Sequence, residues 1–559
     1  MASHNEQIKQ LVDDLKSICA NNGLGGTANE QEIVTQSFLY KFLNDKFLYE
    51  VAKIKPALVK NGNIAHEDLK ALSESEYQLL LMRIGNTSAH LKPEHLLSYL
   101  FGQQDQSDFY KTFDDVLNDI AITNTAIFSV HTDEHTDIKL FEEELIGRSV
   151  KDQSKRNGVA KSLINTLANF KFDEVFSEGF DFFSTLFEYM IKDYNKDGGG
   201  KYAEYYTPHS VAKIMAEILV GDSKPSNVVA YDPSAGSGTL LMNIASKIGT
   251  ERCTIYSQDI SQKSSNLLRL NLILNNLSHS INNIVQGNTI LHPKHIEKTK
   301  MDFIVSNPPF KLDFSQRRND IETLPNATER FFAGVPNIPN KDKDKMAIYL
   351  LFLQHSIFSL KDTGKAAVVV PTGFITAQSG IEKAIRQKLV EKKWLKGVVS
   401  MPSNIFATTG TNVSVVFIDK ANKEKVVLVD ASKLGKKIKE GKNQKTLLSS
   451  SEEQQIIDAF KPSVVGTVSK GKTKKKTIQP IPDFSVVLDY DEIAAKNYSF
   501  SAGQYFEIKI EYSNITPEEF EEKLAGHQKN LQAMFEEGKE LEKTILENLA
   551  NLHFNGENP

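Results

Sequence analysis

Cysteine is almost absent: two of the 559 residues, Cys19 and Cys253. So far apart in sequence, they build neither a disulfide framework nor a thiolate zinc site, and no metal centre is expected. Long apolar runs are missing too. The stretch Met346 to Leu353 falls far short of the roughly 18 residues a membrane-spanning helix needs, so no membrane association is expected. The opening Met1-Ala2-Ser3-His4-Asn5-Glu6 has no basic segment leading into an apolar one. No secretory signal is visible there, and a cytoplasmic location is the default expectation. With 31 Gly and 18 Pro, the chain also lacks the bias of collagen-like or disordered sequences. An excess of one charge is lacking as well. Lys and Arg number 66 against 71 Asp and Glu, a formal net charge of −5. Taken alone, this mild acidity discourages nucleic-acid binding. It averages a C-terminal segment rich in Glu518 to Glu522 and Glu536 to Glu542 with basic stretches elsewhere, so it says little about any one surface.

What is present is an ordinary globular composition, 40% hydrophobic and 25% charged. At about 150 residues per domain the length suggests three or four domains. Residues 1 to about 170 read as helical: Ile8, Leu11, Leu15 and Ile18 recur near period 3.6, and Phe38, Phe42, Phe47 and Leu48 continue the clustering. The pattern changes after Asn195-Lys196-Asp197-Gly198-Gly199-Gly200, a turn-forming stretch. From there to about Lys420, short apolar strands alternate with amphipathic helices. The strand candidates are Val228 to Tyr231, Cys253 to Ser257, Phe303 to Ser306, Ala366 to Val370 and Val413 to Ile418. Such alternation predicts an open α/β sheet covered by helices on both faces. Lysine-rich patches follow at Lys433 to Lys445 and Lys470 to Lys476. Thr516-Pro517-Glu518-Glu519 then starts a long amphipathic helix with Phe520, Leu524, Leu531, Met534, Leu541, Ile545 and Leu552 at helical spacing.

Two segments carry chemistry. The first runs Val228-Val229-Ala230-Tyr231-Asp232-Pro233-Ser234-Ala235-Gly236-Ser237-Gly238-Thr239, a strand entering a glycine-rich turn and a helix. Gly236 and Gly238 remove side chains where a ligand approaches the backbone, and ligands of open α/β sheets sit at the carboxyl ends of such strands. Alone, Gly-x-Gly fits any tight turn equally well. About twenty residues on, a second strand ends at Asp259, where an acid can accept hydrogen bonds from ribose hydroxyls. The second segment is Asp302-Phe303-Ile304-Val305-Ser306-Asn307-Pro308-Pro309-Phe310. Its prolines remove two amide donors and leave carbonyl acceptors. The Asn307 side chain offers a further acceptor, and Phe310 can stack on a flat ring. Acceptors converging on a planar NH2 group would bind it and localise its lone pair.

With these motifs the chain resembles the N6-adenine DNA methyltransferases that use S-adenosylmethionine, and more closely the modification (M) subunit of type I restriction-modification systems. Ala203-Glu204-Tyr205-Tyr206-Thr207-Pro208, before the helix Val211 to Leu219, resembles the family's methionine-side motif. The resemblance makes Asp232, Ser234, Ala235, Gly236, Ser237, Gly238 and Thr239 the main cofactor turn, Asp259 the ribose acid, and Asn307, Pro308, Pro309 and Phe310 the catalytic motif. Gly364 to Pro371 resembles the family's strand-and-proline segment, and Asn497 to Ser501 with Gly503-Gln504-Tyr505 its late tyrosine stretch. One position departs. Gln286-Gly287-Asn288-Thr289 stands where the family usually has Gly-Asp, the residue that contacts the cofactor's adenine amine. Asn288 can still accept through its side-chain oxygen.

The resemblance implies a Rossmann-like class I S-adenosylmethionine-dependent methyltransferase domain at 171–510, an α-helical N-terminal domain at 1–170, and a C-terminal helical extension at 511–559 able to dock a partner. It implies methyl transfer to the N6 amine of an adenine flipped out of double-stranded DNA. The implied partners are a specificity (S) subunit that reads the DNA, a second M subunit, and a restriction (R) subunit in the full complex. Three alternatives stay open: a solitary or phage-defence DNA adenine methyltransferase, a protein-glutamine methyltransferase, and a non-catalytic binding subunit. The segment Lys311 to Lys345, with Arg317, Arg318 and Arg330, is long for a loop and is expected to be mobile until DNA and a partner arrive, with an ordinary surface insertion as the other reading. Gly466-Thr467-Val468-Ser469-Lys470-Gly471-Lys472-Thr473 fits the phosphate-binding loop of ATPases. No apolar helical face follows it, however, and Pro480 and Pro482 punctuate what does, so a basic solvated loop is the better reading.

Overall fold

The computed structural model describes residues 4–134, 136–172, 176, 189, 207–296, 299–406, 412–440, 443–464, 476–506 and 516–550. Contacts divide the chain into two units, Met1–Phe506 and Glu507–Pro559.

The first unit is built on one mixed sheet. Its strands are β1 (Val130–Thr132), β2 (Asp137–Ile138), β3 (Val228–Asp232), β4 (Cys253–Asp259), β5 (Ile284–Gln286), β6 (Met301–Ser306), β7 (Leu360–Pro371), β8 (Leu395–Ser400), β9 (Val413–Asp419) and β10 (Val426–Asp430). The ribbons β11 (Lys436–Glu440) with β12 (Asn443–Leu447), and β13 (Ser463–Val464) with β14 (Lys476–Thr477), stand apart, and β15 (Ser485–Leu488) closes the sheet. The order is β15-β10-β8-β9-β7-β6-β3-β4-β5-β1-β2. Strands β5, β4, β3, β6 and β7 run parallel, and β9 is antiparallel between β7 and β8. All five strands foreseen from apolar runs are present.

Both faces of the sheet are covered, which is why its central strands are almost continuously apolar. Along β7, Ala367 and Val369 enter one core while Ala366, Val368 and Val370 enter the other. The helices His209–Val220, Thr239–Ile248 and Gln262–Leu274 supply the first core, and Tyr349–Ser359 and Gly380–Glu391 the second. Each fully buried valine in these layers contributes roughly 1.5–3 kcal/mol of transfer free energy.

Helices His4–Asn21, Ala28–Ile54, Phe109–Thr123 and Gln153–Ala168 dominate the N-terminal region. Phe38 and Phe42, one turn apart on one helix face, pack edge-on against Phe172 at 5.4 and 5.6 Å. The region is not purely helical, as the sequence had suggested. β1 pairs in parallel with β5, His131 opposite Val285 and Thr132 opposite Gln286, and β2 returns along it. Strands of three and two residues carry no readable alternation; they exist because β5 offers an open edge.

The segment 311–345 is structured. It carries the short helices Arg318–Glu322 and Ala327–Arg330, and Phe314, Ile321, Phe331 and Val335 form a small core with Ile290 and Leu351.

The second unit contains the helix Pro517–Ala550. Thr516 and Glu519 cap it reciprocally: the Glu519 N–H donates to Thr516 Oγ1, and the Thr516 N–H to Glu519 Oε2. Phe520, Leu524, Leu531, Met534, Leu541 and Ile545 are exposed; Leu552 lies outside the described residues.

Candidate active site

The strand order reverses at β3, which has β4 on one side and β6 on the other. Ligands of open α/β sheets bind at the carboxyl ends of strands beside such a reversal. Asp232 ends β3, Ser306 ends β6, and their loops meet there: the Ser234 and Ser306 hydroxyls are 2.7 Å apart.

The glycine turn needs its glycines. Gly236 and Gly238 have φ of +53° and +83°, the left-handed region. A Cβ on Gly238 would lie 2.2 Å from Leu268 Cδ1, so the absent side chain lets the helix Gln262–Leu274 approach. The Gly236 N–H donates to Asp259 Oδ2 at 2.9 Å, fixing the turn against the end of β4, and the Ser261 N–H donates to Asp259 Oδ1. Asp232 accepts from the Ser234 N–H at 2.9 Å. Burial pushes the Asp232 carboxyl up to about 8, with the charge of Asp259 adding to the effect and the Ser234 N–H opposing it. Burial raises Asp259 as well, against the two N–H donors. Among the described residues, neither acid has a basic partner.

Asn307, Pro308, Pro309 and Phe310 leave the end of β6. Asn307 is half-buried, and its Nδ2 donates to Thr207 Oγ1 at 3.2 Å. Thr207, expected only on the methionine side of a cofactor, thus reaches the Asn-Pro-Pro-Phe turn. Thr207, Asp232, Ser234, Ala235, Ser237 and Asn307 line one small cavity. The Phe310 ring lies edge-on to Tyr349 at 6.2 Å, and Tyr349 edge-on to Phe374 at 6.3 Å. An aromatic series therefore holds the ring that would stack on a planar substrate. Ala203, Glu204, Tyr205 and Tyr206 lie outside the described residues, as does the ATPase-like string 466–473.

Asn288 behaves differently from its expected role. Its side-chain oxygen accepts from the N–H groups of Ile290 and Leu291 at 3.0 and 3.1 Å, which occupies the acceptor foreseen for a ligand. The next residue anchors the loop, Thr289 Oγ1 donating to the Pro233 carbonyl at 2.7 Å.

Nothing in the sequence separates Arg330 from Arg317 and Arg318 in the same segment. Arg330 is fully buried, and donates to the carbonyls of Thr289 and Ile290, each at 2.7 Å, and to His355 Nδ1 at 2.9 Å. Burial lowers its guanidinium to about 10, so it stays charged at neutral pH. Burial, then the Arg330 charge, holds His355 neutral, and its Nε2 meets the Tyr231 hydroxyl at 3.2 Å. The 311–345 segment is thereby tied to the loop after β5 and to β3. No local pattern distinguishes such an arginine from an exposed one.

A larger cavity, about 580 Å³, lies elsewhere, in the helical region beside the buried Lys41–Asp45 ion pair. None of the motifs lines it, and the chemistry is at the sheet.

The family profile described as N-6 DNA Methylase matches residues 178–513, more than half of the chain. The chain belongs to the N-6 DNA methylase family. Among its relatives is the MpnII type I restriction enzyme methylase subunit of Mycoplasma pneumoniae, 27% identical over 370 residues, 64% of this chain and 62% of the relative. The MjaIX type I restriction enzyme methylase subunit of Methanocaldococcus jannaschii is 26% identical over 386 residues, 67% of this chain and 64% of the relative. The chain thus spans less than two thirds of the length of these two family members. In fold, it is similar to the crystal structure of a type I restriction-modification methyltransferase subunit from Streptococcus thermophilus. That likeness has a TM-score of 0.68 at 21% identity, and covers 90% of this chain and 100% of that one. The Rossmann-like methyltransferase architecture expected from the motifs is the fold observed. Among the described residues, no helix is long and apolar enough to cross a membrane.

Proposed function

We propose that the chain is the modification subunit of a type I restriction-modification complex, transferring a methyl group from S-adenosylmethionine to the N6 amine of an adenine flipped from double-stranded DNA. The observation that carries this reading is the convergence of the glycine turn, Thr207 and Asn307 on one cavity at the strand-order reversal.

The cofactor fits the residues around that cavity. Two buried acids, their carboxyls raised by burial and lacking a basic partner among the described residues, suit a ligand bringing cationic groups and hydroxyl donors. The turn from Asp232 to Thr239 and the acid Asp259 would hold it, with Thr207 and Pro208 toward its methionine end. S-adenosylmethionine supplies an electrophilic methyl group when bound. Transfer needs little acid-base chemistry, so the protein acts by positioning. Thr207 Oγ1 accepts a hydrogen bond from Asn307 Nδ2, leaving Asn307 Oδ1 as the acceptor for the target amine. Pro308, lacking an N–H, presents only a carbonyl at that turn, and Phe310 stacks on the base.

Residues 1–170 and 171–510 would then form the helical and methyltransferase domains, joined through β1 and β5. Residues 511–559 would dock the specificity subunit through the exposed apolar residues of Pro517–Ala550. A second copy of this chain and a restriction subunit complete the proposed complex, which would act in the cytoplasm. The test is methyl transfer to DNA by the chain alone and with the specificity subunit encoded beside it. Activity only together supports the type I reading, and activity alone favours a solitary enzyme.

A further inference from the structure

Gly287, at the carboxyl end of β5, leaves a space that another part of the chain fills. A Cβ on Gly287 would lie 2.5 Å from Asp133 Cγ and Oδ2. Asp133 follows β1, and its N–H donates to the Gln286 carbonyl at 2.8 Å, prolonging the pairing of β1 with β5. Its Oδ2 accepts from the Asn288 N–H at 3.3 Å, across 155 residues of sequence. The side chain is half-buried and has no basic partner among the described residues. Register, not sequence proximity, puts this carboxylate beside Asn288 on the ligand side of the sheet.

Asn288 supplies the complementary group. With its oxygen held by Ile290 and Leu291, its Nδ2 has no hydrogen-bond partner among the described residues. At the end of the adjacent β4, Ile260 is 63% exposed, and its carbonyl accepts from Gln286 Nε2 at 2.7 Å. A carboxylate acceptor, an amide donor and an apolar side chain therefore stand at neighbouring strand ends. This set complements an aminopurine: the exocyclic amine donates, a ring nitrogen accepts, and the ring face is apolar. A deaminated purine would turn an oxygen acceptor toward the carboxylate and leave both unpaired, the strongest kind of discrimination a polar site offers.

We propose that Asp133, reaching over Gly287 from the N-terminal region, supplies the carboxylate that selects the adenine ring of the cofactor, with Asn288 Nδ2 as the adjoining donor. This rests on reading the glycine turn as the S-adenosylmethionine site. It also accounts for the charge missing at position 288: the carboxylate comes from another strand instead.

The test is calorimetric titration of the full chain with S-adenosylhomocysteine and its deaminated analogue, S-inosylhomocysteine. Wild type is expected to prefer the adenosyl ligand. Asp133→Asn should narrow that preference by about 10-fold or more, the loss of a hydrogen bond to a charged group, with the thermal midpoint unchanged. Gly287→Ala, which crowds Asp133 without altering any acid, should act in the same direction. Adding Asn288→Asp to Asp133→Asn should restore part of the preference. A wild type that binds both ligands equally, or an Asp133→Asn variant that keeps the full preference, overturns the inference while leaving the cofactor site standing. A wild type that binds neither ligand overturns the cofactor site and the inference with it.

Discussion

The Asn307 amide donates from Nδ2 to the hydroxyl of Thr207, 100 residues earlier, at 3.2 Å. An amide can present either end to a substrate, and only its oxygen suits an amine donor. By engaging the nitrogen, Thr207 determines which end faces outward.

Thr207→Val removes that partner while keeping the side-chain shape. Single-turnover methyl transfer is expected to slow about 10-fold, the worth of one orienting hydrogen bond, with DNA affinity retained. Thr207→Ser should recover most of the rate. A valine variant as fast as wild type would remove Thr207 from this role.

Asn307→Ala deletes the acceptor itself. Methylation by the assembled complex should fall below detection, while calorimetric binding of S-adenosylhomocysteine stays within about 3-fold, since the glycine turn and Asp259 are left in place. Retained methylation would sink the assignment of Asn307.

Arg330→Met leaves the Thr289 and Ile290 carbonyls and His355 Nδ1 without their donor in a fully buried setting. Such losses cost on the order of 3 kcal/mol, so the thermal midpoint should drop by several degrees. Arg317→Met, at an exposed position of the same segment, should change it little.

Asp232→Asn tests the buried acid through pH. The folded-state carboxyl titrates near 8 because of burial, whereas the unfolded one titrates near 3.9. Between these values the unfolded chain has already lost a proton that the folded chain retains, so ligand-free wild type loses stability as pH rises, by up to about 1.4 kcal/mol per unit. Asparagine does not titrate. The midpoint of the variant relative to wild type should therefore climb from pH 5 to 8 and level off above. A difference flat across that range would show that Asp232 is ionised throughout.

Much of the site was legible because its parts are local. Asp-Pro-Ser-Ala-Gly-Ser-Gly-Thr encodes a strand, a positive-φ turn and a helix within one stretch, and Asn-Pro-Pro-Phe fixes its own backbone. The alternation of apolar strands and helices likewise determined the open sheet covered on both faces, since each strand's composition already reports burial on both faces.

What tertiary structure alone decided is each relationship that spans the sheet or its edge. The short strands Val130–Thr132 and Asp137–Ile138 have no signal of their own, and form because the edge of Ile284–Gln286 leaves backbone groups to be paired. Asp133 reads as an ordinary acid until that pairing places it over Gly287, and Arg330 as a surface cation until packing buries it against two carbonyls. Local sequence determines conformation where neighbours along the chain set the energy; charge and donor complementarity between distant residues is settled only when the fold brings them within hydrogen-bond reach.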